Sequence, residues 1–314
     1  MYKIRRNRMG KIAFMFPGQG AQYIGMGKDF YENNLLCKEI FTMASKVSGL
    51  DVPGLCFVEN ELLAITEYTQ IAMLTTEVAM LKALEERGIK PDITAGLSLG
   101  EYAALVASKV CTPEDAFKIV RKRGIYMQEA YPTGGAMVAV IGMDTQVIEN
   151  ICDHIDGIVT VANYNCPGQV VITGEENAVN EAVGKLTEAG GKRCIPLKVS
   201  GPFHSPLLAG AGEKLAKELE NITIHEIEIP YICNVTADYV GKKEDVKQLL
   251  QQQVSSSVKW EQSVERMIHD GVTTFIEIGP GKTLSGFMRK INREVQTLNI
   301  EKYEDIEKVV QQLK

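Results

Sequence analysis

The 314 residues are 45% apolar and 24% charged, the balance of a globular protein, which excludes a disordered chain. No apolar run approaches the roughly 18 residues that span a bilayer, and a net charge of −6 argues against general nucleic-acid binding while leaving room for a local basic patch. Seven scattered cysteines without a C-x-x-C pair point away from a disulfide framework or a zinc site and towards a reducing cytoplasm.

The chain opens on a basic stretch, Met1 to Arg8, with Arg5, Arg6 and Arg8; Met9 is an alternative start. No signal-peptide hydrophobic region with a cleavage site follows. Lys11 to Phe16 reads instead as a first buried strand running into a glycine turn. Gly18-Gln19-Gly20-Ala21-Gln22 then opens a helix. A dinucleotide fingerprint would need a third glycine where Tyr23 stands, and a phosphate loop would need Lys-Ser/Thr. Two readings of this loop stand side by side. It is a plain strand-to-helix turn, or its glutamine amide donates a hydrogen bond to an oxyanion.

A helix carrying Ile71, Leu74, Val78, Leu81 and Leu84 on one face comes next, then a short strand from Asp92 to Gly96. Gly96-Leu97-Ser98-Leu99-Gly100 matches G-x-S-x-G and leads into an apolar helix, Glu101 to Ala107. Strand, glycine-flanked serine and helix is the arrangement of a nucleophile elbow. The helix start would give Ser98 a positive dipole end and offer the Leu99 N–H to an oxyanion. The competing explanation is a helix-capping serine behind a glycine turn.

Thr112-Pro113-Glu114-Asp115 carries the cap, first-turn proline and acids of a helix start. Its apolar stripe runs Ala116, Val120, Arg123, Met127, Ala130, so Arg123 points inward while Arg121 and Lys122 fall on other faces. An inward guanidinium needs a counter-charge, from a protein acid or from a substrate carboxylate, which arginine can grip bidentately.

From Gly135 to Ser200 the pattern changes to strand (Ala136 to Ile141), helix (Thr145 to His154), strand (Ile158 to Tyr164), strand (Gln169 to Thr173), helix (Asn177 to Ala189) and strand (Arg193 to Val199). The order βαββαβ is the ferredoxin-like signature. The expected architecture is therefore α/β, with a small domain over 133–200 inserted into a large, mainly parallel domain built from 10–132 and 201–314. Chemistry is expected in the cleft between them, beyond the carboxyl ends of the strands.

A serine nucleophile needs a base, and there are four histidines. His154 closes a surface helix, His225 sits in an alternating stretch read as an exposed strand, and His269 ends a helix beside Asp270. His204 stands in a glycine- and proline-punctuated turn at the domain junction, a place where loops carry function. It is the candidate base; a junction turn residue is the alternative.

These motifs, with Asn163 to Gly174, Gly201 to Pro206, Gln253 and Glu277-Ile278-Gly279-Pro280-Gly281, resemble in order those of the malonyl-CoA:acyl-carrier-protein transacylases, from Lys11 nearly to the C-terminus. The resemblance implies an α/β-hydrolase-like core with a ferredoxin-like insert and a ping-pong transfer of malonyl through a serine ester. It makes Ser98 the nucleophile, His204 its base, Gln19 and the Leu99 backbone the oxyanion donors, and Arg123 the clamp on the malonyl carboxylate. Gln253 falls where a backbone carbonyl orients the histidine in place of a triad acid. Asn165 falls in a stretch lining the cleft, and Phe203 resembles malonyl-selective members. Leu97 departs from the family, which commonly has histidine there. Malonyl-CoA and phosphopantetheinylated acyl carrier protein are the implied partners, with no cofactor, metal, nucleic acid or membrane. Lys192-Arg193 and Arg289-Lys290-Arg293 are candidate carrier-docking patches. Two rivals remain: an esterase or thioesterase on the same elbow, and a dead carrier-binding scaffold. The first would place an acid between serine and histidine; the second fits poorly with a surviving nucleophile, base and clamp.

Overall fold

The computed structural model describes residues 10–191, 193–199 and 201–313; the basic N-terminal stretch, Lys192 and Ser200 lie outside the described residues. The strands are β1 (Lys11–Phe16), β2 (Ile93–Gly96), β3 (Gly135–Ile141), β4 (Val159–Cys166), β5 (Gln169–Glu175), β6 (Arg193–Pro196), β7 (Tyr231–Ile232), β8 (Val258–Lys259), β9 (Val272–Ile278) and β10 (Gln296–Ile300). They form two five-stranded sheets, ordered β10-β9-β1-β2-β7 and β6-β3-β5-β4-β8.

The first sheet is parallel throughout. Its central strand, β1, buries every residue from Ala13 to Phe16, as a strand covered on both faces must. Alternation splits the core in two. Phe14, Phe16, Ile276 and Ile278 face the helix Thr66–Glu86, whereas Ala13, Met15, Ala95 and Phe275 pack with Trp260, Val264 and Met288.

Helix Thr66–Glu86 is more buried than its apolar stripe predicts, because Thr75, Thr76 and Glu77 are inside as well. The two threonines satisfy their hydroxyls on the carbonyls of Ile71 and Ala72, at 2.7 and 2.9 Å.

The second sheet has the expected βαββαβ order, its first four strands antiparallel. Helices Thr145–Asp153 and Glu176–Glu188 cover one face through Ile148, Val179 and Leu186 against Val138, Val140, Val170 and Ile172. Met137, Ala139, Ala162 and Val171, on the other face, join the core of the large part. A fifth strand was not expected. β8 comes from the C-terminal stretch and pairs parallel with β4, Asn163 opposite Val258. The stretch around His225 forms no strand; its backbone bonds to the ends of a neighbouring segment, His225 N–H to Val110 O at 2.9 Å. Without a strand beside it, alternation alone makes no ladder.

Among the described residues no helix is long and apolar enough to cross a membrane. The carboxyl ends of β1, β2 and β7 bring Gln19, Ser98 and Asn234 to one edge of the first sheet.

Candidate active site

β2 ends at Gly96, and helix Gly100–Ala107 begins four residues later. A Cβ on Gly96 would sit 2.0 Å from the Gly100 carbonyl carbon, and one on Gly100 would sit 2.1 Å from Phe16 O, so both positions exclude any side chain. The tight turn puts Ser98 in left-handed backbone, φ 52°, which costs a non-glycine residue of order 1–3 kcal/mol unless its surroundings hold it. They do. Its N–H donates to Asn234 Oδ1 at 2.6 Å, its carbonyl accepts from Gln253 Nε2 at 2.9 Å, and Asn234 Nδ2 donates to Gly96 O at 2.7 Å.

His204 is buried and also left-handed, φ 61°. Its Nε2 lies 2.7 Å from Ser98 Oγ, and its Nδ1 lies 2.8 Å from Gln253 O and 3.1 Å from Ser256 O. Carbonyls only accept, so Nδ1 carries the proton and Nε2 presents a lone pair to the serine. Burial, then the positive charge of Arg123, pushes the His204 pKa down to about 4, with the two carbonyls opposing. The ring is neutral at neutral pH, so Nε2 is free to accept a proton. His154, His225 and His269 are all exposed and away from this pair.

Arg123 is 1% exposed, on the buried face of helix Pro113–Ala130, whose start is capped by Thr112 accepting from the Asp115 N–H at 3.1 Å. Arg121, by contrast, pairs at 2.9 Å with Glu67. The Arg123 guanidinium donates to Gln70 Oε1 (2.8 Å), Gln253 Oε1 (3.1 Å) and Ser98 Oγ (3.2 Å), and sits 5.4 Å from the centre of the Tyr102 ring. Burial lowers its pKa, which Tyr102 and Glu101 offset. Among the described residues no carboxylate is in direct contact with it, and its Nε has no hydrogen-bond partner. A buried cation is thus held by neutral oxygens, beside the Ser98 hydroxyl.

A narrow cavity of about 90 Å³ is lined by Ser98, His204 and Arg123 together with Gln19, Leu97, Leu99 and Phe203. The Gln19 amide donates to Thr66 Oγ1 at 3.1 Å, and Leu99 stands at the N-cap of helix Gly100–Ala107, where N–H groups lack an intrahelical acceptor. Asn165 does not line the cavity; Asn163 does. The ladder of β4 shifts register between Val161 and Asn163 and again between Tyr164 and Cys166, so simple alternation along the strand breaks there. Asn165 is buried with Oδ1 unpartnered.

Sequence reasoning missed three residues that this geometry uses. Gln70 was one polar letter in a long helix, and Asn234 follows the short apolar run Tyr231-Ile232-Cys233. Glu101 is 1% exposed at the head of an apolar helix, where a lone acid was the available signal.

Residues 13–308 match the family model for the acyl transferase domain. The chain is 47% identical, over 98% of both chains, to the malonyl CoA-acyl carrier protein transacylase of Bacillus subtilis (strain 168). It superposes on the malonyl CoA-acyl carrier protein transacylase of Clostridium perfringens with a TM-score of 0.93 at 46% identity, covering 96% of this chain and 97% of that one. A solved complex of a type II PKS acyl-carrier protein with its malonyl-transacylase gives 0.93 at 36% identity, covering 96% and 99%.

Proposed function

The chain belongs to the acyl transferase family and, within it, to the malonyl-CoA:acyl-carrier-protein transacylases, and on that premise we propose which residues carry each step. The reaction moves malonyl from malonyl-CoA to acyl carrier protein.

In the first half, His204 Nε2 takes the Ser98 hydroxyl proton as Oγ bonds to the thioester carbonyl carbon. The carbonyl oxygen becomes an oxyanion, held by the Leu99 N–H and Gln19. The C–S bond then breaks and His204 returns its proton to the CoA thiolate, leaving a malonyl ester on Ser98. In the second half the phosphopantetheine thiol of the carrier gives its proton to His204, attacks the ester, and Ser98 recovers its hydroxyl. The Gln253 carbonyl stands in for a triad acid, fixing the imidazole tautomer without adding a charge.

One observation carries the substrate assignment. Ser98 Oγ lies within 3.2 Å of an Arg123 nitrogen and 2.7 Å of His204, and among the described residues no carboxylate contacts that guanidinium. A donor whose free carboxylate lies close to its reacting carbonyl meets both groups at once, and malonyl is such a donor. Phe203, bordering the same cavity, bounds the space beside the acyl chain.

The division into a catalytic body (10–132 with 201–314) and an insert (133–200) goes with this reading, the insert forming one wall of the cleft through Asn163. So does a cytoplasmic location, supported by seven unpaired cysteines. Intact mass after mixing with malonyl-CoA, with and without carrier protein, tests the scheme. A malonyl adduct mapping to Ser98 and passing to the carrier is expected. Free malonate appearing faster than carrier loading would favour a hydrolase.

A further inference from the structure

The Gln253 side chain is held between two opposite charges. Its Oε1 accepts from Arg123 Nη2 at 3.1 Å, and its Nε2 donates to Glu101 Oε2 at 2.7 Å and to Ser98 O at 2.9 Å. A carboxamide has one accepting end and one donating end. A cation on one side and an anion on the other therefore leave it a single orientation. The same Glu101 oxygen accepts the Asn234 backbone N–H at 3.0 Å, and Asn234 Oδ1 takes the Ser98 N–H at 2.6 Å. Glu101 lies behind the cavity rather than in its lining. Its other oxygen has no hydrogen-bond partner among the described residues. An acid kept wholly buried with half of its accepting capacity unused is more than a helix-start residue.

We infer that Glu101 is a positioning residue: its carboxylate sets which way round Gln253 sits, and through Gln253 holds the Arg123 guanidinium ready for a donor that carries a carboxylate. The inference rests on the reading of Arg123 as the carboxylate clamp. It answers where the counter-charge of the inward arginine is: one amide away. That distance leaves the front of the guanidinium to the substrate. In Glu101→Gln the anion is lost: the carbonyl oxygen at 101 can still accept from Gln253 and Asn234, but as a neutral and weaker acceptor, so the Gln253 carboxamide is held less firmly. A loosened Gln253 fixes the Arg123 guanidinium less well, which displaces the clamp while leaving serine and histidine in reach of each other.

The test is single-turnover acylation of Ser98 by malonyl-CoA and by acetyl-CoA at pH 8, above the value of about 7 to which burial pushes the Glu101 carboxyl. Wild type, Glu101→Gln, Glu101→Asp, Arg123→Ala and the Glu101→Gln/Arg123→Ala double variant are compared. The ratio of the two donors on one preparation does not depend on the folded fraction, so a partly unfolded variant still reports. Glu101→Gln is expected to lower the malonyl-to-acetyl ratio by about tenfold or more, the size of a lost hydrogen bond to a charged group. In the double variant the ratio should fall no further than in Arg123→Ala alone, because both changes act on one contact. Glu101→Asp keeps the charge and should slow both donors while holding the ratio within about threefold of wild type. An unchanged ratio in Glu101→Gln, a multiplied loss in the double variant, or a collapse in Glu101→Asp equal to that in Glu101→Gln would each overturn the inference. If wild type places no malonyl on Ser98, the assigned mechanism itself fails. If wild type acylates normally and Glu101→Gln keeps its preference, only the role of Glu101 is lost.

Discussion

Ser98 and His204 face each other across 2.7 Å, and both are non-glycine residues in left-handed backbone. They reach that state by different routes. The serine is forced into it by neighbours in sequence: Gly96 and Gly100 let strand and helix close on each other within four residues, and only then do Asn234 and Gln253 pin the turn. The histidine sits in a loop whose shape depends on distant chain, with the carbonyls of Gln253 and Ser256 aligning its ring from 49 and 52 residues away. The proposed nucleophile, built by local geometry, and the proposed base, built by long-range contacts, should respond differently to substitution.

The largest effect breaks the comparison at its local end. Ser98→Ala should leave no acyl adduct at any residue, with the thermal transition little changed, as read by peptide mapping and calorimetry. His204→Ala should leave Ser98 acylable but slower by about a hundredfold or more, since the general base is lost while the oxyanion donors remain.

Titration sharpens the difference. The folded His204 has its pKa lowered from 6.5 to about 4, burial being the main cause. Its neutral form is therefore kept well below the ordinary histidine range, and the acid limb of acylation by acetyl-CoA should fall nearer pH 4 than 6.5. The sign for stability follows from the same shift. Between these values the unfolded chain binds a proton that the folded chain refuses, so this site's contribution to stability declines as pH drops from 6.5 towards 4. Denaturant titrations of wild type and His204→Ala across that window measure it; a wild-type stability no more sensitive than the variant's would contradict the assignment.

The contacts that pin the elbow come next. Asn234→Leu removes the side-chain partner of the half-buried Ser98 N–H and of the Gly96 carbonyl, and should cost about 1–3 kcal/mol of stability together with a slower acylation step. Loss of stability with acylation at the wild-type rate in the folded fraction would mean that the two glycines alone shape the nucleophile. The smallest expected effect lies on the surface. Arg289 and Lys290 are exposed at the end of helix Thr283–Ile291, and Lys290 also bonds Gln169 in the second sheet at 3.0 Å. Reversing both charges should slow the carrier step several-fold and leave acylation from malonyl-CoA unchanged, an effect that weakens with salt.

The same local-versus-distant distinction explains what the sequence made legible. The elbow, the inward stripe of Arg123 and the βαββαβ order rest on spacings of a few residues, and each reads directly. His204 stood out only as a junction residue, and the placing of Gln253 needed the family resemblance, because its carbonyl acts through a contact no spacing encodes. Asn234 bonds a residue 136 positions away, Glu101 meets Gln253 across 152, and β8, beginning at Val258, joins a sheet whose other strands have ended by Pro196. None of these pairings leaves a local pattern. Asn165, expected to line the cleft, gives way there to Asn163, where β4 shifts register, which alternation does not foresee.

Arg123, the proposed carboxylate clamp, is the group that would separate this site from an ordinary serine esterase. The deciding measurement is the rate of Ser98 acylation by malonyl-CoA and by acetyl-CoA in Arg123→Ala, on protein whose thermal transition is intact. Malonyl transfer should lose the equivalent of about 2–5 kcal/mol, while acetyl transfer, with no carboxylate to strand, should lose far less. Arg123→Lys should recover malonyl transfer only in part, since an ammonium cannot reproduce two parallel hydrogen bonds. Equal losses for the two donors would contradict the account and make Arg123 part of the scaffold.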